Sequence, residues 1–385
     1  MNKDYQKVTI YPFNGDYIPF VKYLNKYSEI LHVTELVAPT GWGLNWKDAG
    51  VIYNKPEVGL IVSDDLHRAM GNCDVLMIAE NKLNENFHQI IINNIIATIE
   101  SQKDIICTMK LPKNELEQLK QISTNFGVRF TYSPEETHWE YLRDTLYFQT
   151  LCALSRKLYT PRADVIFVGE LIDGIDGFDV LLSVTDYLKS IGYKILTIGA
   201  RDYCELIGLF SLPSFITQVN ISDSEKIHTF NSYIKYLDEK EKPDIFVIQL
   251  PGGMMKYNDQ FTNGFGVTPY LMSQAVQGDY FILSTQYDKI HTKFYYMLSN
   301  AFKYRFGFEI DCIHMSNTLI DIANSIGLDK LTYLHLEQHV LDDTINQYYR
   351  ESEISIYNID NLLDRNKMFS QLQEALSDNV IHHMV

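Results

Sequence analysis

Residues 163–177, ADVIFVGELIDGIDG, decide how the chain is read. Val165 to Val168 form an uncharged β-rich run, the pattern of a strand buried on both faces. Gly169 and Gly174 then bracket a turn, and a helix is expected to start near Gly177. The two glycines stand five apart, the spacing of the phosphate-cradling loop G-x-x-x-x-G-K-[ST]. The positions that would handle phosphate and metal hold Ile175 and Asp176 instead.

A working phosphate loop combines backbone N–H groups, a helix N-terminus, a lysine and a metal-binding hydroxyl. Here Glu170, Asp173, Asp176 and Asp179 crowd the turn, and residues 163–188 contain no Lys or Arg. Charges about 4 Å apart interact by roughly 1 kcal/mol in water and roughly 4 kcal/mol at a protein surface. Several carboxylates would therefore oppose a triphosphate. The strand expected at 244–250 should end in an acidic residue to hold the metal. It ends in Gln249-Leu250-Pro251-Gly252-Gly253. The geometry looks kept and the phosphate chemistry lost. An acidic turn kept for packing and an acidic receptor for a cation or basic segment both fit the residues.

On both sides of this stretch, strands alternate with helices, which argues for an α/β fold with parallel sheets. Strands are expected at 7–13, 32–38, 59–62, 74–79, 104–109 and 129–132, with helices at 17–27, 85–100 and 113–125. A helix over 139–158 follows. The second half reads as strands at 194–198, 244–250, 281–284, 310–314, 331–336 and 354–358. Helices are expected at 178–191, 202–209, 222–239 and 361–376, with a frayed tail from 378. The expected architecture is two parallel-sheet domains: a Rossmann-like domain (1–135), a connecting helix (136–162) and a degenerate phosphate-loop domain (163–385).

Parallel sheets bind ligands at the carboxyl ends of their strands. In the first domain that place belongs to Gly41, Trp42, Gly43 and Lys47: glycines for close backbone approach, a ring to stack, a cation for an anion. A surface loop pinned by Trp42 is the plainer reading. No G-x-G-x-x-G follows the first strand, so nicotinamide dinucleotide binding is not expected. In the second domain the candidates are Gly169, Asp173, Gly174, Asp176, Arg201, Gln249, Gly252 and Gly253. Arg201 follows the strand at 194–198 and is placed to meet the loop carboxylates. No catalytic residue is identified. His335 and His339 are read as solvated histidines, and no metal site or cofactor is expected.

Composition narrows the classes further. The 385 residues suit two domains, with 46% apolar and 21% charged residues. A net charge of −16 argues against nucleic acid and anionic membranes, which need a positive field. Five cysteines, none within four residues of another, read as reduced core thiols. No run of 18 apolar residues exists, and MNKDYQKVTIYPF has no signal-peptide core. A cytoplasmic protein is expected, with a possible homodimer.

The order of a Rossmann-like half, a helix, strand–GELIDGID–helix and QLPGG resembles, remotely and over most of the chain, a two-domain family related to dethiobiotin synthetase. Lys47-Asp48-Ala49-Gly50 matches a loop of that family's first domain. A closer resemblance is to clostridial peptide-maturation-system proteins, carried by YPFNGDY (11–17), VAPTGWGLNWKDAG (37–50) and VGELIDGIDGFDVLLSVTDYL (168–188). Those proteins are encoded beside a precursor peptide, a radical-SAM enzyme and a carrier-protein homologue. The resemblance implies an accessory or scaffold role in maturing a ribosomally made peptide. The partner would be the precursor peptide or a modifying enzyme, without nucleotide hydrolysis. The alternative is an atypical ligase or acyltransferase taking a nucleotide or acyl-CoA between the domains through Lys47, Arg201 and the glycine loops.

Overall fold

The computed structural model describes residues 5–80, 85–154, 157–289, 292–348 and 353–383. They divide into two compact units, Met1–Glu140 with Asp202–Gly208, and Tyr141–Arg201 with Leu209–Val385. Both are α/β units built on parallel sheets. Residues 202–208, assigned to the second domain by chain order, group with the first.

The first unit holds β1 (Gln6–Tyr11), β2 (Leu31–Val37), β3 (Val62–Ser63), β4 (Val75–Ile78), β5 (Asp104–Cys107) and β6 (Phe130–Tyr132). Their order is β3-β2-β1-β4-β5-β6, parallel throughout. This is the strand order of the doubly wound dinucleotide-binding fold. Ile91, Ile95 and Ile99, four apart on helix Glu85–Glu100, are fully buried against the sheet. Helix Lys113–Phe126 stops at Gly127, whose left-handed backbone turns its N–H back to the Ser123 and Thr124 carbonyls.

Two strands differ from expectation for local reasons. β1 ends at Tyr11 because Pro12 has no N–H to continue the ladder. The strand expected at 59–62 is reduced to Val62–Ser63. The Val58, Gly59 and Leu60 N–H groups, at 3.0, 2.7 and 3.1 Å, point instead at the Asp48 carboxylate. That carboxylate also accepts from Gly50 N–H at 2.8 Å. Desolvation works against its ionisation, but these N–H groups outweigh it and hold the Asp48 carboxyl below the usual range.

In the second unit, β7 (Asp164–Glu170) lies at the centre, with β8 (Ile195–Gly199), β9 (Phe210–Ser211), β10 (Ile245–Gly253), β11 (Tyr280–Thr285), β12 (Cys312–Met315) and a later strand, Ser355–Tyr357. An antiparallel pair, β13 (Thr318–Ile320) and β14 (Tyr333–His335), stands outside the main sheet. With Ser355–Tyr357 as β15, the main order is β15-β12-β11-β7-β10-β8-β9. All its pairs are parallel. Val165, Ile166, Phe167 and Val168 are 0–1% exposed, as a strand covered on both faces requires.

Other differences are local. β10 continues past Leu250 to Gly253, with an irregular register between Gln249 and Gly253 that leaves Leu250, Pro251 and Gly252 outside the ladder. The helix expected over 139–158 is two, His138–Leu142 and Leu146–Leu154. Thr145 divides them: its hydroxyl bonds to Leu142 O and accepts from Phe148 N–H, so it caps the second. The segment expected as a helix at 202–209 is a single 3-10 turn, Cys204–Ile207. The last helix runs from Leu362 to His383 rather than fraying at 378. Among the described residues, no helix is long and apolar enough to cross a membrane.

Asp48→Ala should lower the stability of the first unit by about 1.5–3 kcal/mol, the range for losing charge-assisted hydrogen bonds. Urea unfolding measures this. A change below roughly 0.5 kcal/mol, the ordinary surface range, would show that the carboxylate does not hold the loop.

Candidate functional site

β7 delivers Glu170 to the start of the glycine turn. Its side chain folds back into the turn it precedes. Glu170 Oε2 accepts from Gly174 N–H at 2.8 Å, and Oε1 accepts from Gly177 N–H at 2.6 Å. Gly177 is the first residue of helix Gly177–Ser190. The N–H donors that a phosphate loop offers to its ligand are thus met by the protein's own carboxyl. A Cβ on Gly177 would lie 2.5 Å from Glu170 Cγ, so only glycine lets the helix start this close. Gly174 takes φ +85°, which closes the turn.

Glu170 is 6% exposed. Burial pushes its carboxyl up to about 7, and the Asp173 charge adds to this. The Gly174 and Gly177 N–H groups and the Arg201 charge pull the other way. Of the loop carboxylates, the Arg201 charge bears on Glu170.

The remaining loop residues are held from neighbouring strands. Ile175, in the position of the phosphate lysine, is fully buried, and its carbonyl accepts from Ser284 Oγ of β11. Asp176 sits in the left-handed region at φ 56°. Its Oδ2 accepts from Ser316 Oγ at 2.5 Å and lies 3.4 Å from His314 Nε2. His314 Nδ1 accepts from Ile359 N–H, so Nε2 carries the proton and donates to Asp176. Serine and histidine both face the aspartate rather than each other, which is not a nucleophile–base pair. Asp173 is held through its backbone, whose carbonyl accepts from Tyr333 Oη at 2.9 Å.

Gln249, the residue at the place of the metal-binding acid, is buried and accepts from Ala200 N–H at 3.0 Å, tying the ends of β8 and β10 together. Gly253 pairs with Glu170 in the sheet, and Gly169 packs under Phe281 and Met254. Gly169, Asp173, Gly174, Asp176, Arg201, Gln249, Gly252 and Gly253 therefore gather at the carboxyl edge of one sheet. His335 and His339 separate onto β14 and helix Gln338–Tyr348, with His339 beside Glu337. Among the described residues, no group of three His, Cys, Asp or Glu is arranged to hold a metal ion.

Gly41, Trp42, Gly43 and Lys47 belong to the loop between β2 and β3 of the first unit. Trp42 packs on Phe87 at 5.8 Å between rings, while Lys47 is exposed. The switch point of that sheet lies between β1 and β4. Tyr17 fills that place. Its hydroxyl is 2.6 Å from Thr108 Oγ1 and accepts from Glu80 N–H at 2.6 Å, and its ring stacks on Tyr203 at 5.0 Å.

The sequence shows the acidic character of Glu170 but not its role, because a residue folding back on its own turn leaves no spacing signature. Tyr17, His314 and Ser316 carry no sequence signal of their roles, because their partners lie far away in the chain.

No protein-family model and no curated protein matches the chain. Among solved structures, a DUF1611 family protein from Anabaena variabilis covers 97% of this chain and 99% of its own, at TM-score 0.60 and 12% identity. That likeness shows the fold, an α/β chain of two parallel-sheet units. A putative oxidoreductase from Bacillus subtilis (13% identity, 49% of this chain, 53% of that chain, TM-score 0.28) is too distant to carry an argument. So is a 3-ketoreductase from Actinomadura kijaniata (11%, 50% and 60%, TM-score 0.29).

The raised Glu170 carboxyl has a signed consequence. A native value of about 7 against an ordinary 4.5 means the folded state binds the proton more tightly than the unfolded chain. Its stabilising contribution is full below pH 4.5 and is lost as pH rises to about 7, by roughly 3 kcal/mol. Stability curves of wild type and Glu170→Gln should diverge over that interval, with wild type losing more. Parallel curves would show that Glu170 is not buried in the turn.

Proposed function

We propose that this protein is an accessory binding protein in the maturation of a ribosomally made peptide, engaging the peptide or its modifying enzyme without hydrolysing nucleotide. The observation that supports this most is the filled turn: Glu170 holds the Gly174 and Gly177 N–H groups. A nucleotide would have to displace a buried carboxyl from both donors and then face Asp173 and Asp176 without a lysine. Ile175 is in the core, so a lysine there would have to leave it. The peptide connection rests on the resemblance of residues 11–17, 37–50 and 168–188.

Calorimetric titration with Mg·ATP, Mg·GTP and acetyl-CoA should give no saturable binding, whereas a precursor peptide of such a system should bind. Saturation by a nucleotide or acyl-CoA would favour the atypical ligase or acyltransferase instead. Glu170→Ala provides the complementary test. It should destabilise by about 1–3 kcal/mol, the cost of leaving buried donors unpaired, and inorganic phosphate should restore part of the loss. Wild type should not respond to phosphate. Equal responses would mean that Glu170 does not occupy the anion position.

A further inference from the structure

The second unit carries a surface that the filled turn does not use. Four consecutive residues, Asn263 to Gly266, take φ of 47°, 58°, 55° and 67°. L-residues enter the left-handed region singly when they enter it at all, and phenylalanine has no local hydrogen bond to compensate. This turn is braced. Asn263 Nδ2 donates to Met255 O at 3.0 Å, Phe265 N–H donates to Thr262 O at 2.7 Å, and the Arg305 guanidinium donates to Phe265 O. A Cβ on Gly266 would lie 2.1 Å from Met254 O, so no other residue fits there. Strained backbone persists only where its surroundings hold it. What it produces here is a phenylalanine 55% exposed on a fixed turn.

Next to the turn, helix Val267–Ala275 packs against helix Thr292–Phe306. The latter buries Tyr295, Leu298, Phe302 and Phe306 at helical spacing. Its other face shows Tyr296, Met297 and Tyr304, the last 88% exposed, and Val267 and Tyr270 are exposed on the neighbouring helix. The charge is one-sided. The turn and both helices contain Lys293, Lys303 and Arg305 and no Asp or Glu, in a chain with 49 acidic and 33 basic residues. Glu309 pairs with Lys303, while Lys293 and Arg305 form no ion pair among the described residues.

We propose that this turn-and-helix face is a docking surface for an acidic peptide segment bearing apolar side chains. Aromatic rings, methionine and arginine are the residues that carry binding energy in interfaces, and the basic charge selects an acidic occupant. The proposal rests on the peptide-binding reading above and names the chemistry of the partner.

The test is fluorescence anisotropy of the whole protein with a labelled peptide of repeating Leu-Glu-Glu-Leu-Leu-Glu-Glu, beside the same peptide with Lys in place of Glu. Binding of the acidic peptide should saturate and weaken with salt. It should fall by roughly tenfold or more, the scale of a lost hot spot, in a Met297→Glu, Tyr304→Glu double variant. Both sites are exposed, so the variant should keep the wild-type unfolding midpoint. Binding of the Lys peptide should be no weaker in the variant than in wild type. Failure of the acidic peptide to bind, or equal binding to the variant, overturns the proposal. So does sedimentation showing a wild-type dimer that the variant abolishes. None of these results touches the nucleotide titration, so a failure of this proposal and a failure of the earlier reading are told apart.

Discussion

The second unit depends on one carboxyl meeting two backbone N–H groups of its own turn. Glu170 bonds to Gly174 and Gly177 and so closes the connection between the central strand and its helix. The first turn of a helix leaves N–H groups without partners and carries a partial positive charge. In a phosphate loop an external anion satisfies both. Here the chain supplies a carboxyl as acceptor, and the cost is burial of an ionisable group, which pushes its titration up. Once Glu170 is in place, a lysine at position 175 has no phosphate to bind. That position is free to be Ile175, which joins the core.

The rest of the turn is fitted around that pair. Ser284 of β11 holds the Ile175 carbonyl, Ser316 and His314 from β12 and its continuation hold Asp176, and Tyr333 of β14 holds the Asp173 carbonyl. The first unit shows the same solution with different chemistry. Its switch point, the crevice where this strand order ordinarily receives a ligand, is closed by Tyr17 between Thr108 and the Glu80 N–H. In each unit the place where the fold would offer backbone donors to a ligand is occupied by an internal side chain.

Much of the architecture was legible because it rests on local pattern. Uninterrupted apolar runs such as 165–168 mark central strands, and four-residue spacing such as Ile91, Ile95 and Ile99 marks a buried helix face. The boundaries that moved did so through side chains taking backbone partners: Asp48 reaches the N–H groups of 58–60, ten to twelve residues away, and Thr145 caps a new helix through Leu142 and Phe148. The candidate residues of the second unit were found because glycine spacing and strand ends are sequence signals. Their roles were not, since Gln249 and Asp176 acquire partners from other strands. The left-handed turn at 263–266 was invisible for the same reason, because Phe265 contradicts its own preference and only Arg305 and Met254 explain it.

The central claim is that the turn's donors are occupied from within. Hydrogen–deuterium exchange of the Gly174 and Gly177 amides, with and without Mg·ATP or inorganic phosphate, tests it most directly. The account predicts slow exchange in the free protein, unchanged by either ligand, and fast exchange in Glu170→Ala. Fast exchange in the free wild-type protein that slows when nucleotide is added would contradict it, since the donors would then be waiting for an external anion.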